Sequence, residues 1–456
     1  MSQPPIAEKP RAIWRAGTLT YTTGGLVLLF AWLLWGDFAW NMKDRAVTPV
    51  AQLMLRQFHA SDFLVGLLVG SLPCAIGFIL GPIISVKSDN HRGRWGRRIP
   101  FLLIPTPFIA LAMVGLAFTV PVSEWLHAIL GPSSPGQVAC QLVTFGFFWT
   151  TFEIFQTIAQ AVFGGLINDV VPQEIIGRFF GFFRAISLVA AMVFNFWIIG
   201  HAEEYFGKIF IGLGLLYGIG FSLMCFMVRE GDYPPPAPRA QAGRLAFLAP
   251  VKAYMRECFA NPYYLWIFLA MTLGILAGGP INTYSIFYAK SLGMSVDAYG
   301  KLLVITYAIS FTLSFILGWL ADKFHPLRVG FAAILIYAAV MIWGGFVADS
   351  IPTFSFVFIA HGVLMGCFIT GTASLGQRLF PQAKFAQFAS AAGIASALGY
   401  MILPPAVGYW LDATGHVYRY TFLASGAIGM LSFIALMVTY GKFLKLGGDK
   451  NYSPPL

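Results

Sequence analysis

The chain has 456 residues, 58% of them hydrophobic and only 11% charged, with a formal net charge of +10. A soluble protein needs a largely polar surface, so this composition excludes a soluble enzyme or binding domain and predicts an all-α polytopic membrane protein. The basic residues fall in short loops between apolar runs, where they meet anionic lipid headgroups, so the lipid bilayer is an expected partner and nucleic acid is not.

In chain order, residues 1–24 read as a cytoplasmic N-terminal tail: MSQPPIAEKPRAIWRAG is polar and basic, without the short apolar segment and small-residue cleavage site of a signal peptide. Twelve apolar runs of spanning length, near 20 residues, follow. Six (about 25–55, 62–86, 99–120, 138–166, 176–200 and 207–228) form an N-terminal six-helix bundle over 25–228. Residues 229–262 are proline-rich and basic and read as a cytoplasmic connector. Six more (about 263–289, 298–320, 327–347, 352–377, 385–410 and 418–440) form a C-terminal bundle over 263–440, before a cytoplasmic tail over 441–456. Lys and Arg concentrate in the tails and alternate loops, which puts both termini inside by the positive-inside rule. The five cysteines are scattered with no CxxC pair, so neither a disulfide framework nor a metal site is expected.

The first span carries Asp37, Lys43, Asp44 and Arg45. A charge at the bilayer centre costs about 2.5–3.5 kcal/mol on insertion scales, so these side chains must pair or face a wet cavity. Asp37, Asn41, Asp44 and Thr48 share one helical face, with Trp40 beside it. A competing reading ends this helix near Met42 and starts an outer loop at Lys43. After the second span, SDNHRGRWGRRIPF (88–101) sets Asp89 among four arginines, with Gly93 and Gly96 where the backbone must turn. One acid among Arg92, Arg94, Arg97 and Arg98 suits a conformational clamp better than a topology signal alone.

The run PVSEWLHAILGPSSPGQ reads as a long external loop after the third span. In the fourth span Glu153, Gln156, Thr157 and Gln160 again share one face. Intramembrane acids are functional by default, which makes Glu153 the candidate proton-coupling group, with Arg184 of the fifth span as its partner. In the seventh span Gly278, Gly279 and Pro280 loosen the helix beside Asn282, Thr283 and Tyr284. Asn282 and Tyr284 join the substrate-binding candidates Asp37, Trp40, Asn41, Lys43, Asp44, Gln156 and Gln160, with the rings of Trp40 and Tyr284 offered for stacking. His361 reads as a core histidine rather than a relay.

The halves repeat their signals. GWLADKFHPLR places Asp322 and Arg328 after the eighth span as Asp89 and its arginines follow the second, and VPQEIIGRFFG after the fourth span corresponds to FPQAKFAQF after the tenth. A GxxxD[RK]xxG[RK][RK]-like loop after the second span, and again after the eighth, resembles the signature of the major facilitator superfamily. Within it, SDNHRGRWGRRIPF is similar to the loop of sucrose transporters and to that of glycoside–pentoside–hexuronide symporters, and WNMKDRAVTP has the spacing of a first-helix motif of the former. EIFQTIAQAVFGGLIND resembles a sucrose-transporter stretch, with Glu153, Gln160 and Asp169 in its acid, glutamine and aspartate places. It departs from that pattern in carrying Gly164 where the family has an arginine, and Ser85 replaces a glycine near the clamp.

The resemblance implies twelve helices in two pseudo-symmetric six-helix bundles, and clamp roles for Asp89, Arg94, Gly96, Arg97, Arg98, Asp322 and Arg328. Duplicated halves favour alternating access around a midplane site. The expected function is symport of a sugar or glycoside, in a plasma membrane or bacterial inner membrane, by a monomer. No cofactor is expected. The second span has no acid to supply hard oxygen ligands to sodium, so protons are the expected driver. An exporter or antiporter of another small molecule and a transport-derived sensor are the alternatives. No GxSxG, HExxH or Walker motif supports an enzyme.

Overall fold

The computed structural model describes residues 13–233, 248–381 and 384–455; within these, a few side chains, that of Asp322 among them, lie outside the description. Two short strands, β1 (Ile13–Ala16) and β2 (Leu19–Thr22), pair antiparallel in the register Ile13↔Thr22 and Ala16↔Leu19. Gly17, at φ +58°, makes the turn between them. The sequence reading treats this segment as part of a plain tail; its alternation of polar and apolar residues is too short to stand out.

Helices follow. They are α1 (Thr23–Gln57), α2 (Asp62–Asn90), α3 (Ile99–Ala117), α4 (Thr119–Leu130), α5 (Gln137–Val170), α6 (Ile176–Val193), α7 (Ala202–Met227), α8 (Leu248–Phe259), α9 (Pro262–Ser291), α10 (Val296–Phe324), α11 (Pro326–Val347), α12 (Ile351–Leu379), α13 (Phe385–Ala413), α14 (Tyr420–Lys445) and the short α15 (Gly448–Asn451). Among the described residues, 11 helical stretches are long and apolar enough to cross a membrane. One of them, Ile176–Met227, runs for 52 residues, or about 78 Å at 1.5 Å per residue, far more than a hydrocarbon core of about 30 Å. It holds the expected fifth and sixth spans. The break is at Phe194–His201, a π turn followed by a 3₁₀ turn, with a non-helical Tyr205 just beyond.

The element boundaries bear out the long first span and correct one loop. Helix α1 continues through Lys43, Asp44 and Arg45 to Gln57 and tolerates Pro49, so no outer loop starts at Lys43. The run expected as a long external loop after the third span is mostly helix, α4, because PVSEWLHAIL carries an apolar helical face. In the stretch expected as the connector, α8 is helical, and residues 234–247 lie outside the described residues. The loosening expected at Gly278 is present. Helix α9 breaks between Leu276 and Gly279, and the Tyr337 hydroxyl donates to the freed Ala277 carbonyl at 3.0 Å, as a backbone break away from water requires.

By packing, the residues form two compact units. The first comprises Met1–Val47, Ile79–Ala191 and Phe206–Pro238; the second comprises Thr48–Phe78, Met192–Tyr205 and Arg239–Leu456. Trp149, Tyr217, Phe145, Phe179 and Phe221 are fully buried in the first, and Tyr264, Tyr284, Tyr337 and Phe354 in the second. Large apolar side chains on the outward helix faces are exposed, Phe147 at 67% and Ile402 at 68% among them, which is the surface a lipid-facing helix presents.

Candidate functional site

Within the first unit, α1 and α5 bring polar groups together in an apolar setting. Lys43 is fully buried. Its ammonium donates to the Gln156 carbonyl oxygen and lies 4.0 Å from the centre of the Trp40 ring and 4.9 Å from that of Tyr217, so ring faces take the place of water around the charge. The Gln156 amide in turn donates to Asp44 Oδ1 at 3.3 Å. Glu153, one turn before Gln156, is buried at 8% exposure, and Lys43 and Asp44 are the charges that act on it. One turn before Asn41, Asp37 is fully buried. Its Oδ1 accepts from the Asn41 amide at 2.6 Å, and its Oδ2 has no hydrogen-bond partner among the described residues.

Trp40 and Tyr284 are not open for stacking in this conformation. Trp40 is closed in by Phe163 at 5.3 Å and Phe221 at 5.6 Å between ring centroids. Tyr284 is fully buried, and its hydroxyl is spent on the backbone carbonyls of Pro404, at 2.7 Å, and Asp62, at 3.0 Å. It is a packing residue. Asn282 is exposed and lies 3.2 Å from His361 Nε2; His361, buried, has Tyr337 at 3.0 Å on its other nitrogen, in keeping with a core histidine. Gln160 and Arg184 are both exposed. Among the described residues no ion pair joins Arg184 to Glu153; the cation beside that acid is Lys43.

The arginine loop is organised by acids that lie outside it. Arg97 makes a two-pronged contact with Asp169, Nε at 3.0 Å and Nη2 at 2.6 Å, and Arg98 Nε reaches the same carboxylate at 3.1 Å. Asp89, the acid inside the loop, takes the Nη2 of Arg98, at 2.5 Å. Asp169 sits in the last turn of α5, where a negative charge opposes the helix dipole; two guanidiniums offset that. Hydrogen bonding to Asp169 holds the Arg97 guanidinium even further up than usual.

Glu230 accepts from the backbone N–H groups of Arg97, Arg98 and Ile99 at 3.0, 2.8 and 2.7 Å, and so caps the orphan donors at the start of α3. Tyr233 donates to Glu230 at 3.0 Å and lies under Arg97, whose guanidinium carbon is 4.0 Å from its ring centre. Burial, then the Glu230 charge, push the Tyr233 phenol up, so it stays a donor. Gly96, at φ +92°, has Glu230 where a Cβ would point. Arg94 is exposed. In the second unit Arg328 pairs with Asp449 at 2.6 Å and with the Tyr440 hydroxyl at 2.9 Å; the side chain of Asp322 lies outside the described residues. Glu230 escaped the sequence reading because it lies more than a hundred residues from its partners, and the available signal was an acid directly after an apolar span.

The comparisons bear on this arrangement. Residues 281–446 match the family model of the Major Facilitator Superfamily. The structure superposes on a bacterial homolog of the human lysosomal transporter Spinster, inward-facing and unoccupied, with TM-score 0.67 and 14% identity over 94% of this chain and 98% of that one. The chain has the major facilitator fold. A D-xylose-proton symporter shares this fold too, with TM-score 0.61 and 17% identity over 90% of this chain and 96% of that one. Among curated proteins, solute carrier family 45 member 3 of Mus musculus is 25% identical over 201 residues, 42% of this chain and 35% of the relative, so the match spans about a third of that relative's length. The superfamily that the loop motifs resemble is the one whose model matches residues 281–446, and the chain is a multi-pass membrane protein.

Proposed function

We propose that this major facilitator is a proton-coupled symporter of a sugar or glycoside that works by alternating access. The observation that carries the reading is the fully buried Lys43, held on Gln156 with Asp44 and Glu153 beside it. A charge at membrane depth is kept only where it serves a pathway or a relay. In this reading Glu153 exchanges the proton. When the acid is ionised, the Lys43 ammonium turns to it; when it is protonated, the ammonium stays with Gln156 and Asp44, and the polar groups of Asp37, Asn41 and Gln156 are arranged for hydroxyls. Lys43 takes the partner role that sequence reading gave to Arg184. The resemblance of the loop and first-helix motifs to sugar symporters supports the substrate class, and the charge bias of the loops supports cytoplasmic termini.

The test is uptake of a panel of labelled glycosides and monosaccharides into proteoliposomes, with an imposed proton gradient, with a sodium gradient and with neither. Accumulation of at least one sugar under the proton gradient alone is the expected result. Uptake that follows sodium, or efflux of a non-sugar against the proton gradient, would replace the reading with a sodium symporter or an antiporter.

A further inference from the structure

The arginine loop borders a cavity of about 540 Å³ that lies within the first unit. Arg92, Arg94 and Trp95 line it from the loop, and Phe226, Arg229 and Tyr233 line it from the end of α7 and the segment after it. The acids around the loop are engaged elsewhere. Glu230 Oε1 accepts from the N–H groups of Arg98 and Ile99, and its Oε2 accepts from the Arg97 N–H and the Tyr233 hydroxyl. Asp169 is taken by the side chains of Arg97 and Arg98. Arg94, a clamp candidate by its position, and Arg229 are both exposed, and neither has a hydrogen bond or an ion pair among the described residues. Arg92 donates to the Asp89 and His91 carbonyls at 2.7 Å each, which leaves its charge on the cavity wall. Asp232 is the other carboxylate of the wall, and it too is exposed.

Two apolar stripes lead away from the cavity along the helices that wall it. On α3, Ile104, Phe108 and Leu111 stand at i, i+4 and i+7, the first of them next to Leu103 of the wall. On α7, Ile219, Leu223 and Phe226 have the same spacing, and Phe226 is itself part of the wall. All six side chains are exposed. The two helices are closely packed, because a Cβ at Gly214 or Gly218 of α7 would come within 3.1 Å of Ala110 of α3. At the head of the stripes the Trp95 ring, 54% exposed, meets Phe226 edge to face with centroids 6.3 Å apart. An amphipathic indole at the end of a membrane helix sits at the level of the lipid headgroups.

We propose that this cavity holds the phosphate of an anionic phospholipid, with Arg94 and Arg229 as its donors and the acyl chains laid along the two stripes. A guanidinium presents paired N–H groups that match phosphate oxygens, and basic pockets between membrane helices suit anionic headgroups. The stripes decide between a lipid and a free phosphate. A free anion needs the arginines alone, whereas a lipid also covers the exposed apolar side chains that start at the cavity wall. Arg94 comes from the loop before α3 and Arg229 from the segment after α7, the same two pieces of chain that Glu230 joins. A lipid phosphate between them is a second tie across that junction. The site goes beyond the transport reading and does not depend on it.

The test titrates the full-length protein in detergent with phosphatidylglycerol or phosphatidylcholine and reads the lipids retained by native mass spectrometry. Phosphatidylglycerol should bind at least about fivefold more tightly than phosphatidylcholine, since one cation near the surface is worth about that factor toward an anionic headgroup. Arg94→Gln and Arg229→Gln should each weaken phosphatidylglycerol about fivefold and leave phosphatidylcholine unchanged. Both side chains are exposed, so the fold should tolerate their loss. Lys87→Gln, which removes an exposed cation of α2 that does not line the cavity, should change phosphatidylglycerol binding by less than about twofold. A Lys87→Gln loss as large as that of Arg94→Gln would mean a diffuse charge effect and overturn the site, as would equal binding of the two lipids by the parent protein. Inorganic phosphate in excess should not displace phosphatidylglycerol. Displacement would assign the cavity to a free anion and overturn the lipid.

Discussion

At the scale of single residues, the roles of the loop acids differ from those their positions in the chain imply. Asp89 is the acid the loop displays, but it is 54% exposed and takes one guanidinium nitrogen, whereas Asp169 is 13% exposed and takes three. An exposed pair contributes about 0–1 kcal/mol, and a partly buried two-pronged arginine–carboxylate contact more. Asp169→Asn should therefore slow transport turnover by about tenfold with substrate binding retained, and Asp89→Asn by no more than about threefold; turnover and binding measured separately in proteoliposomes check the order. Equal effects would mean that the network is not centred on Asp169. Gln156→Leu removes the oxygen acceptor of a fully buried ammonium and should cost about 1–3 kcal/mol of stability, read as a lowered midpoint of thermal unfolding in detergent. Lys43 was legible as a charge at membrane depth, because the first apolar run continues past it to about residue 55. Its place beside Glu153 was not, because Lys43 and Arg184 look equally able to meet that acid until the helices are packed.

At the scale of elements, two helix starts are capped by acids from remote segments: Glu230 takes three N–H groups at the start of α3, and Asp412 takes two at the start of α2. Each ties an end of a helix to a part of the chain far away in sequence. Glu230→Ala leaves three donors without their carboxylate and should cost about 0.5–2 kcal/mol, while Glu230→Gln, which keeps an acceptor, should lose less. Thermal midpoints of the two variants, compared with the parent, check this order. Tyr284→Phe separates packing from recognition. The hydroxyl serves two backbone carbonyls, so the variant should lower the unfolding midpoint and leave the apparent affinity for sugar within about twofold of the parent, since a neutral buried hydrogen bond contributes only about 0.5–1.5 kcal/mol. A large loss of affinity at unchanged stability would return Tyr284 to the substrate site. The spans themselves were legible because about 20 apolar residues must cross the bilayer. The π and 3₁₀ turns at 194–201 were not, because FNFWIIGH has no proline and a single glycine to mark the break.

At the scale of the whole molecule, the fold follows from composition, the count of apolar runs and the repeated loop signals, and the comparisons agree with it. What the chain carries is harder to read, since a fold shared at 14–17% identity holds no substrate, and function rests on the site. The account therefore stands on Glu153, buried at mid-helix with Lys43 beside it. The most direct measurement is sugar counterflow against gradient-driven accumulation in Glu153→Gln proteoliposomes. A neutral side chain imitates the protonated acid permanently, so the carrier should still exchange sugar across the membrane at a rate near the parent's. It should fail to accumulate sugar under a proton gradient, because the ionised state that resets the cycle is missing. Accumulation at the parental level would contradict the account and move the coupling site to Asp37 or Asp44, the other acids in the first membrane helix.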